Sequence, residues 1–352
     1  MRGGASARPA SRPVFVKRAS GESPTLQTKS VLVTGAAGFI ASHVCEALVA
    51  RGVRVVGVDN FDPFYSQGRK RANLGEIERS AEASDGVFSF IEGDLAEPGL
   101  IAGVLADHDC ATVIHLAAKA GVRPSLADPA GYARANVVGT AAVLDAATHT
   151  GVQRVVAASS SSVYGNNSKV PFSETDDVNE PISPYAATKR SCEIIAKAHH
   201  AATGLPIAML RFFTVFGPRQ RPDLAISLFL RAVGAGETIR MFGDGSTSRD
   251  YTFVSDIVGG VLSACERIGA HGFRVWNLGH DAPVRLDEMI KAVGEVTGRE
   301  PVIERTGMQP GDVERTWADL SRSRDELDYA PTTSLREGMA RQWDWMQTHA
   351  TA

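Results

Sequence analysis

Tyr185 and Lys189 stand four residues apart in the run Ser183-Pro184-Tyr185-Ala186-Ala187-Thr188-Lys189. On a helix, positions i and i+4 share one face. A phenol and an ammonium on one face make a chemical device. Tyr ordinarily ionises near pH ~10, too high for a base at neutral pH, and a neighbouring cation favours the phenolate. Such a tyrosine can take a proton from a hydroxyl, the first half of withdrawing a hydride from the same carbon. The same spacing is common on solvated helices, so the pair gains meaning only from its surroundings.

Two other stretches supply them. Val31-Leu32-Val33 runs into Thr34-Gly35-Ala36-Ala37-Gly38-Phe39-Ile40-Ala41 and then an apolar helical pattern, which reads as strand, glycine turn, helix. Gly35 permits the tight turn, Gly38 lets backbone approach a pyrophosphate, and a helix N-terminus offers N–H donors. Gly35, Ala37, Gly38, Phe39 and Ile40 are therefore candidate dinucleotide contacts. A second strand ends at Asp59 and Asn60, roughly 20 residues beyond the turn, where a carboxylate holds both ribose hydroxyls of NAD and repels the 2′-phosphate of NADP. The plain alternative is that Asp59 caps a strand end. The third stretch is Ala158-Ser159-Ser160-Ser161-Ser162-Val163-Tyr164-Gly165, which comes after an apolar strand. Hydroxyls at a strand's carboxyl end lie where doubly wound sheets bind ligands, although a serine-rich loop is usually only a loop.

With these motifs in order, the chain resembles the extended short-chain dehydrogenase/reductases of the sugar-nucleotide epimerase and dehydratase group, over about residues 30 to 345. Asp94 after Glu92-Gly93, His115-Leu116-Ala117-Ala118 and Arg211-Phe212-Phe213-Thr214-Val215-Phe216-Gly217-Pro218 add to the likeness. Ala41 stands where many members have a third glycine, and a methyl is tolerated there. The resemblance implies an α/β fold: a Rossmann-type doubly wound parallel sheet with a smaller α/β substrate-binding lobe. It implies NAD as cofactor and no metal. It places Asp94 and Leu95 at the adenine end and Leu116, Ala117, Ala118 and Lys119 behind the cofactor, with Asn136 and Ser159 nearby. Tyr185, Lys189 and Ser160 become the catalytic candidates.

The members of this group differ in the chemistry that comes after C4 oxidation of the sugar. Dehydratases carry an acidic pair at the positions held here by Ser161 and Ser162, and uronate decarboxylases carry a glutamate in place of Ser162. Elimination needs an acid and a base beyond the tyrosine, so return of the hydride to the opposite face, C4 epimerisation, is expected. Ala120-Gly121-Val122-Arg123 and the stretch Arg211 to Asp223 resemble UDP-glucuronate 4-epimerases. That likeness implies that Arg221 meets a C6 carboxylate with a forked pair of charged hydrogen bonds, with hydroxyls from Thr214 and Ser161, and that Arg123 and Ser160 lie at the substrate. Arg249, in Phe242 to Tyr251, is expected on the diphosphate, and Asp312, in Gln309-Pro310-Gly311-Asp312, near the uridine ribose. A surface cation or a phosphate contact is the alternative for Arg221, and plain surface charge for Arg249 and Asp312. A UDP-glucose or UDP-N-acetylglucosamine 4-epimerase is the runner-up, which a glutamate or hydrophobe at 221 would favour. A non-catalytic NAD-sensing protein on the same fold is a third reading, although such proteins usually lose Tyr or Lys of the pair.

Composition bounds the remaining possibilities. The 352 residues are 43% apolar, enough for a large core, and a net charge of −3 makes no electrostatic case for nucleic acid. Cys45, Cys110, Cys192 and Cys265 lie far apart and read as buried thiols in a reducing, cytoplasmic setting. No apolar run is long enough for a membrane. Residues 1–28 read as a disordered tail, native, targeting or added. Strands are expected near 31–33, 53–58, 87–91, 112–116, 153–157 and 206–211. Helices are expected near 39–51, 66–80, 98–106, 130–150, 184–203, 223–235, 256–268, 285–298 and 334–348. The NAD-binding domain is expected over 29–180, with 184–216 and 250–270 packing on it, and the UDP-sugar lobe mainly over 217–249 and 271–352. The helices near 130–150 and 184–203 carry surplus apolar faces, which in this family pair with a second copy, so a homodimer is expected.

Overall fold

The structure, a computed structural model, describes residues 29–307 and 313–349. The expectation for residues 1–28 lies outside the described residues. Apolar runs short enough for strands form β1 (Ser30–Thr34), β2 (Arg54–Asp59), β3 (Val87–Glu92), β4 (Cys110–His115), β5 (Arg154–Ser160) and β6 (Ile207–Phe212). With the strand Phe273–Leu278 they make one seven-stranded sheet, whose order from that edge is Phe273–Leu278, β6, β5, β4, β1, β2, β3. Every pairing in it is parallel. Strands β1, β4 and β6 are buried at every position, which is why they read as continuous apolar runs rather than alternating ones.

Helices cover both faces. α1 (Phe39–Val49) and α2 (Gln67–Glu82) precede α3 (Leu100–Asp107), α4 (Val122–Ala127), α5 (Pro129–Tyr132), α6 (Gly139–His149) and α7 (Pro184–Thr203). Successive strand residues point to opposite faces, and the core divides accordingly. Val31 and Val33 pack with Val44 and Leu48 of α1 and with Val261 of the helix Val254–Arg267. Leu32 packs with Leu105, Leu144 and Ala196 of α3, α6 and α7. Crossovers leave β1 in both directions, so a crevice opens between the carboxyl ends of β1 and β4, where doubly wound sheets bind ligands.

A three-stranded sheet (Pro283–Arg285, Ser248–Phe253, Thr214–Phe216) and a two-stranded one (Ile303–Thr306, Ile239–Phe242) stand apart from the main sheet. Two expected features differ. The strand Phe273–Leu278, expected in the smaller lobe, is an edge strand of the main sheet paired with β6. The helix expected over 130–150 is interrupted. Asp128 caps α5 by accepting the Gly131 N–H (2.9 Å), residues Ala133–Val138 form a π-helix, and α6 starts at Gly139. π-turns are frequent where a helix serves a site, and this one carries Asn136.

Candidate active site

A cavity of about 520 Å³ opens at the carboxyl ends of the strands. The glycine turn forms one wall. Gly35 has φ +73°, and a Cβ there would lie 2.8 Å from Ala117 Cα, so turn and β4 loop close on each other only without a side chain. A Cβ on Gly38 would lie 2.9 Å from the Gly35 carbonyl oxygen. No side chain caps α1, so its leading N–H groups are left for an anion beside Phe39 and Ile40. Ala37 does not line the cavity; it is buried behind the turn, and its carbonyl accepts Asn73 Nδ2–H at 2.9 Å.

At the end of β2, Asp59 is buried. Its Oδ1 accepts the Phe61 N–H (2.8 Å) and lies 3.5 Å from Lys70 Nζ, while Oδ2 takes no hydrogen bond among the described residues. Asn60 Nδ2 donates to Asp94 Oδ2 (3.3 Å), which joins this corner to Asp94 and Leu95. Leu116, Ala117, Ala118 and Lys119 form the opposite wall. Ala117 N–H donates to Thr34 Oγ1 (3.3 Å), and Lys119 Nζ to Asp128 (3.0 Å). Asn136 is not on the cavity wall. Its Oδ1 accepts the Lys119 N–H (2.8 Å) and its Nδ2 donates to the Lys119 carbonyl (3.0 Å) and to Thr188 Oγ1 (2.9 Å), so it braces that wall against α7.

The Tyr–Lys pair sits on the first two turns of α7. Ser183 caps that helix by accepting the Ala186 N–H (3.1 Å), and Pro184 suits its first position. Tyr185 N–H donates to Ser125 Oγ (3.1 Å), and its ring meets Tyr132 edge-on at 6.2 Å. Lys189 is 4% exposed and donates from Nζ to the Ala158 carbonyl at 2.8 Å. Ser160 Oγ accepts the Ser162 N–H and donates to Ser162 Oγ, both at 3.1 Å. Tyr185, Lys189, Ser159, Ser160 and Ser161 all line the cavity.

Behind them lies a buried network that the sequence reading missed. Glu193, one turn beyond Lys189, accepts Ser159 Oγ–H (2.6 Å) and the Arg211 Nε and Nη2 donors (2.8 and 2.9 Å). Burial opposes charge on Glu193, but Arg211, Ser159 and Arg190 outweigh it and hold the carboxyl below the usual range. The signal was the i+4 step from Lys189 and an arginine inside an otherwise apolar β6. His115 is likewise enclosed, with Nδ1 2.8 Å from Thr34 Oγ1 and Nε2 3.1 Å from Thr140 Oγ1. Burial, then the Lys189 ammonium, lowers its pKa to about 3.

Thr214 and Arg221 also line the cavity, as do Phe64, Tyr65 and Lys70, which sequence reasoning missed. The Arg221 fork is not directed as expected. Its Nε and Nη2 donate to Asp223 Oδ1 and Oδ2 at 3.0 and 2.8 Å, Nη1 donates to the Ala120 carbonyl (3.3 Å), and the guanidinium stands 4.9 Å above the Phe64 ring. Arg123 lies off the cavity wall, over the Phe242 ring at 5.4 Å. Arg249 is off it too, donating to the carbonyls of Ser248 (2.9 Å) and Glu314 (3.4 Å). Asp312 lies outside the described residues. Among the described residues no cluster of His, Cys, Asp or Glu could hold a metal, and no helix is long and apolar enough to cross a membrane.

The cavity fits a dinucleotide. It has an uncapped helix N-terminus for a pyrophosphate, a close-approach turn that a Cβ would fill, and a half-used buried carboxylate at the end of β2. Comparison with known proteins agrees. Residues 31–279 match the NAD dependent epimerase/dehydratase family. A UDP-glucuronate 4-epimerase of Thermodesulfobacterium geofontis is 36% identical over 315 residues, 89% of this chain and 95% of the relative. The Bacillus cereus UDP-glucuronic acid 4-epimerase, solved with UDP-glucuronic acid and NAD, is 34% identical with a TM-score of 0.84, covering 91% of this chain and 99% of that one. MoeE5, solved with UDP-glucose and NAD, is 38% identical with a TM-score of 0.80, covering 92% of this chain and all of that one (100%).

Proposed function

The chain belongs to the NAD dependent epimerase/dehydratase family, and from that premise we propose that it is an isomerase that inverts C4 of UDP-glucuronate to give UDP-galacturonate. One observation carries the reading: Tyr185, Lys189 and Ser160 share a cavity with Ser161, Thr214 and Arg221. The first three are what C4 oxidation needs, and the last three are donors suited to an anionic group beside it. NAD, when bound, supplies the two-electron acceptor that gives a 4-keto sugar and the donor that restores the alcohol.

The rest falls to the protein. Tyr185 takes the C4 hydroxyl proton and returns it after the sugar has turned to present its other face. Ser160 Oγ, which accepts the Ser162 N–H, turns its proton from Ser162 Oγ to donate to the same oxygen. Lys189, held at the Ala158 carbonyl, presents its ammonium on the same face of α7 as Tyr185. The turning sugar must be loosely held while its nucleotide is firmly held. A 4-keto uronate is a β-keto acid and loses carbon dioxide when its C5–C6 bond aligns with the carbonyl π system. Donors from Arg221, Thr214 and Ser161 hold the carboxylate out of that alignment by positioning alone. With only hydroxyls at 161 and 162, no side chain there provides the acid that elimination requires.

The test is incubation of the NAD-loaded protein with UDP-glucuronate, with products separated by anion exchange and compared with a UDP-glucose reaction. UDP-galacturonate as the main product is expected. Turnover of UDP-glucose alone would overturn the substrate assignment in favour of a neutral-sugar epimerase. One observation favours that second reading: the Arg221–Asp223 pair brings no net charge to the C6 end.

A further inference from the structure

The closed Arg221–Asp223 pair has a consequence for how a C6 group is chosen. Arg221 Nε and Nη2 meet both oxygens of Asp223, the forked geometry a guanidinium makes with any carboxylate. Arg221 is anchored: its side chain is 15% exposed, its Nη1 is tied to the Ala120 carbonyl, and Phe64 lies beneath it. Asp223 is not: its side chain is 42% exposed, and the hydrogen bonds to its two oxygens both come from Arg221. A carboxylate on the exposed side of an ion pair adds little to stability and can rotate into water at modest cost. We infer that Asp223 is an internal stand-in for the substrate's C6 carboxylate, a specificity-determining residue that fills the Arg221 fork in the free protein and gives it up to a uronate.

The exchange replaces one carboxylate by another, so the charge at the fork is the same before and after, and the partly buried guanidinium is never left unpaired. A hydroxymethyl group cannot take a two-point charged fork. With a neutral sugar Asp223 therefore stays in place, and the C6 end remains closed and neutral. Selectivity is thus set by competition between two carboxylates, and the wild-type protein binds a uronate more weakly than Arg221 alone would allow. Asp223 also lowers the attraction of the free site for anions that offer no planar fork.

This inference rests on the uronate reading, and the experiment separates the two. NAD-loaded wild type, Asp223→Asn and Asp223→Ala are titrated calorimetrically with UDP-glucuronate, UDP-glucose and UDP, and wild-type epimerisation of UDP-glucuronate is assayed beside them. Both substitutions are expected to tighten UDP-glucuronate by about tenfold, the effect of freeing one charge-assisted fork from its competitor. UDP-glucose and UDP are expected to change by less than about twofold, a small fraction of one such contact. The tightening fades with added salt. Unchanged or weaker UDP-glucuronate binding in both variants, with an active wild type, would mean that Asp223 orients Arg221; the inference then falls and the reading stands. Equal tightening toward UDP and UDP-glucose would place the effect on the diphosphate and also overturn it. A wild type that neither binds nor epimerises UDP-glucuronate would end both.

Discussion

At Tyr185 the backbone is fixed and the reacting oxygen is not. The N–H is tied to Ser125, while the phenolic oxygen takes no hydrogen bond among the described residues. Replacing Tyr185 by Phe keeps the ring against Tyr132 and removes only that oxygen. Turnover should fall ~100-fold or more, the usual effect of losing a general base, and denatured variant should still release NAD. Near-normal turnover would remove Tyr185 from the proton path. At Arg221 the prediction concerns selectivity. Arg221→Ala should weaken action on UDP-glucuronate by on the order of 100-fold and action on UDP-glucose far less, and Arg221→Lys should not restore it, because an ammonium lacks the planar fork. A looser carboxylate should also let some intermediate lose carbon dioxide, so mass spectrometry should detect a UDP-4-keto-pentose. Equal losses on both sugars would assign Arg221 to the fold or the phosphates.

Elements explain why some of this was readable in the chain and some was not. The strand–turn–helix at Gly35 and the helix bearing Tyr185 were legible because each has local punctuation, a glycine turn in one and a Ser183-Pro184 start in the other. The break in the helix after Pro129 was not, because a π-turn leaves the apolar pattern nearly intact while shifting Asn136 onto the Lys119 backbone. The edge strand Phe273–Leu278 was missed for a similar reason: pairing with β6 is a long-range choice that nothing local dictates. Partners of charged groups were least legible. Asp59 shows this, since its Lys70 neighbour comes from α2. Denatured protein should release NAD rather than NADP. Asp59→Ser should admit NADP, because it removes the repelling carboxylate and leaves Lys70 nearby as a cation for a 2′-phosphate. Continued exclusion of NADP would move the discrimination elsewhere. His115 carries a pH prediction for β4. Its folded pKa is lowered from 6.5 to about 3 by burial and Lys189. The unfolded chain therefore binds a proton there that the folded one refuses, so this stability is present above pH 6.5 and lost as pH falls from 6.5 toward 3, at up to about 1.4 kcal/mol per pH unit. His115→Gln should flatten the acid arm of a plot of denaturation midpoint against pH between about 6 and about 4. An unchanged slope would assign acid sensitivity to other groups.

For the whole molecule the open question is what covers the outer side of the catalytic helices. Val138 on the π-helix is 51% exposed and Ile194 on α7 is 53% exposed. Singly, exposed apolar residues need no explanation. These two lie on neighbouring elements that also carry the site's internal bracing, since Cys192 Sγ–H of α7 donates to the Asn136 carbonyl at 3.3 Å. A second copy seated there would form a four-helix contact and press the π-turn and α7 together from outside. The expected state is a homodimer, with light scattering at micromolar concentration giving twice the chain mass. Val138→Asp with Ile194→Asp should yield a monomer, because two desolvated carboxylates cannot be accommodated in an apolar contact. The monomer should keep its fold by circular dichroism. Its turnover should drop more than its NAD content, because the glycine turn lies across the sheet from these helices while Tyr185 lies on one of them. A wild type that is monomeric at micromolar concentration would remove the second copy as the outer support of α7, and the Asn136–Thr188 and Glu193–Arg211 contacts would then have to hold Tyr185 unaided.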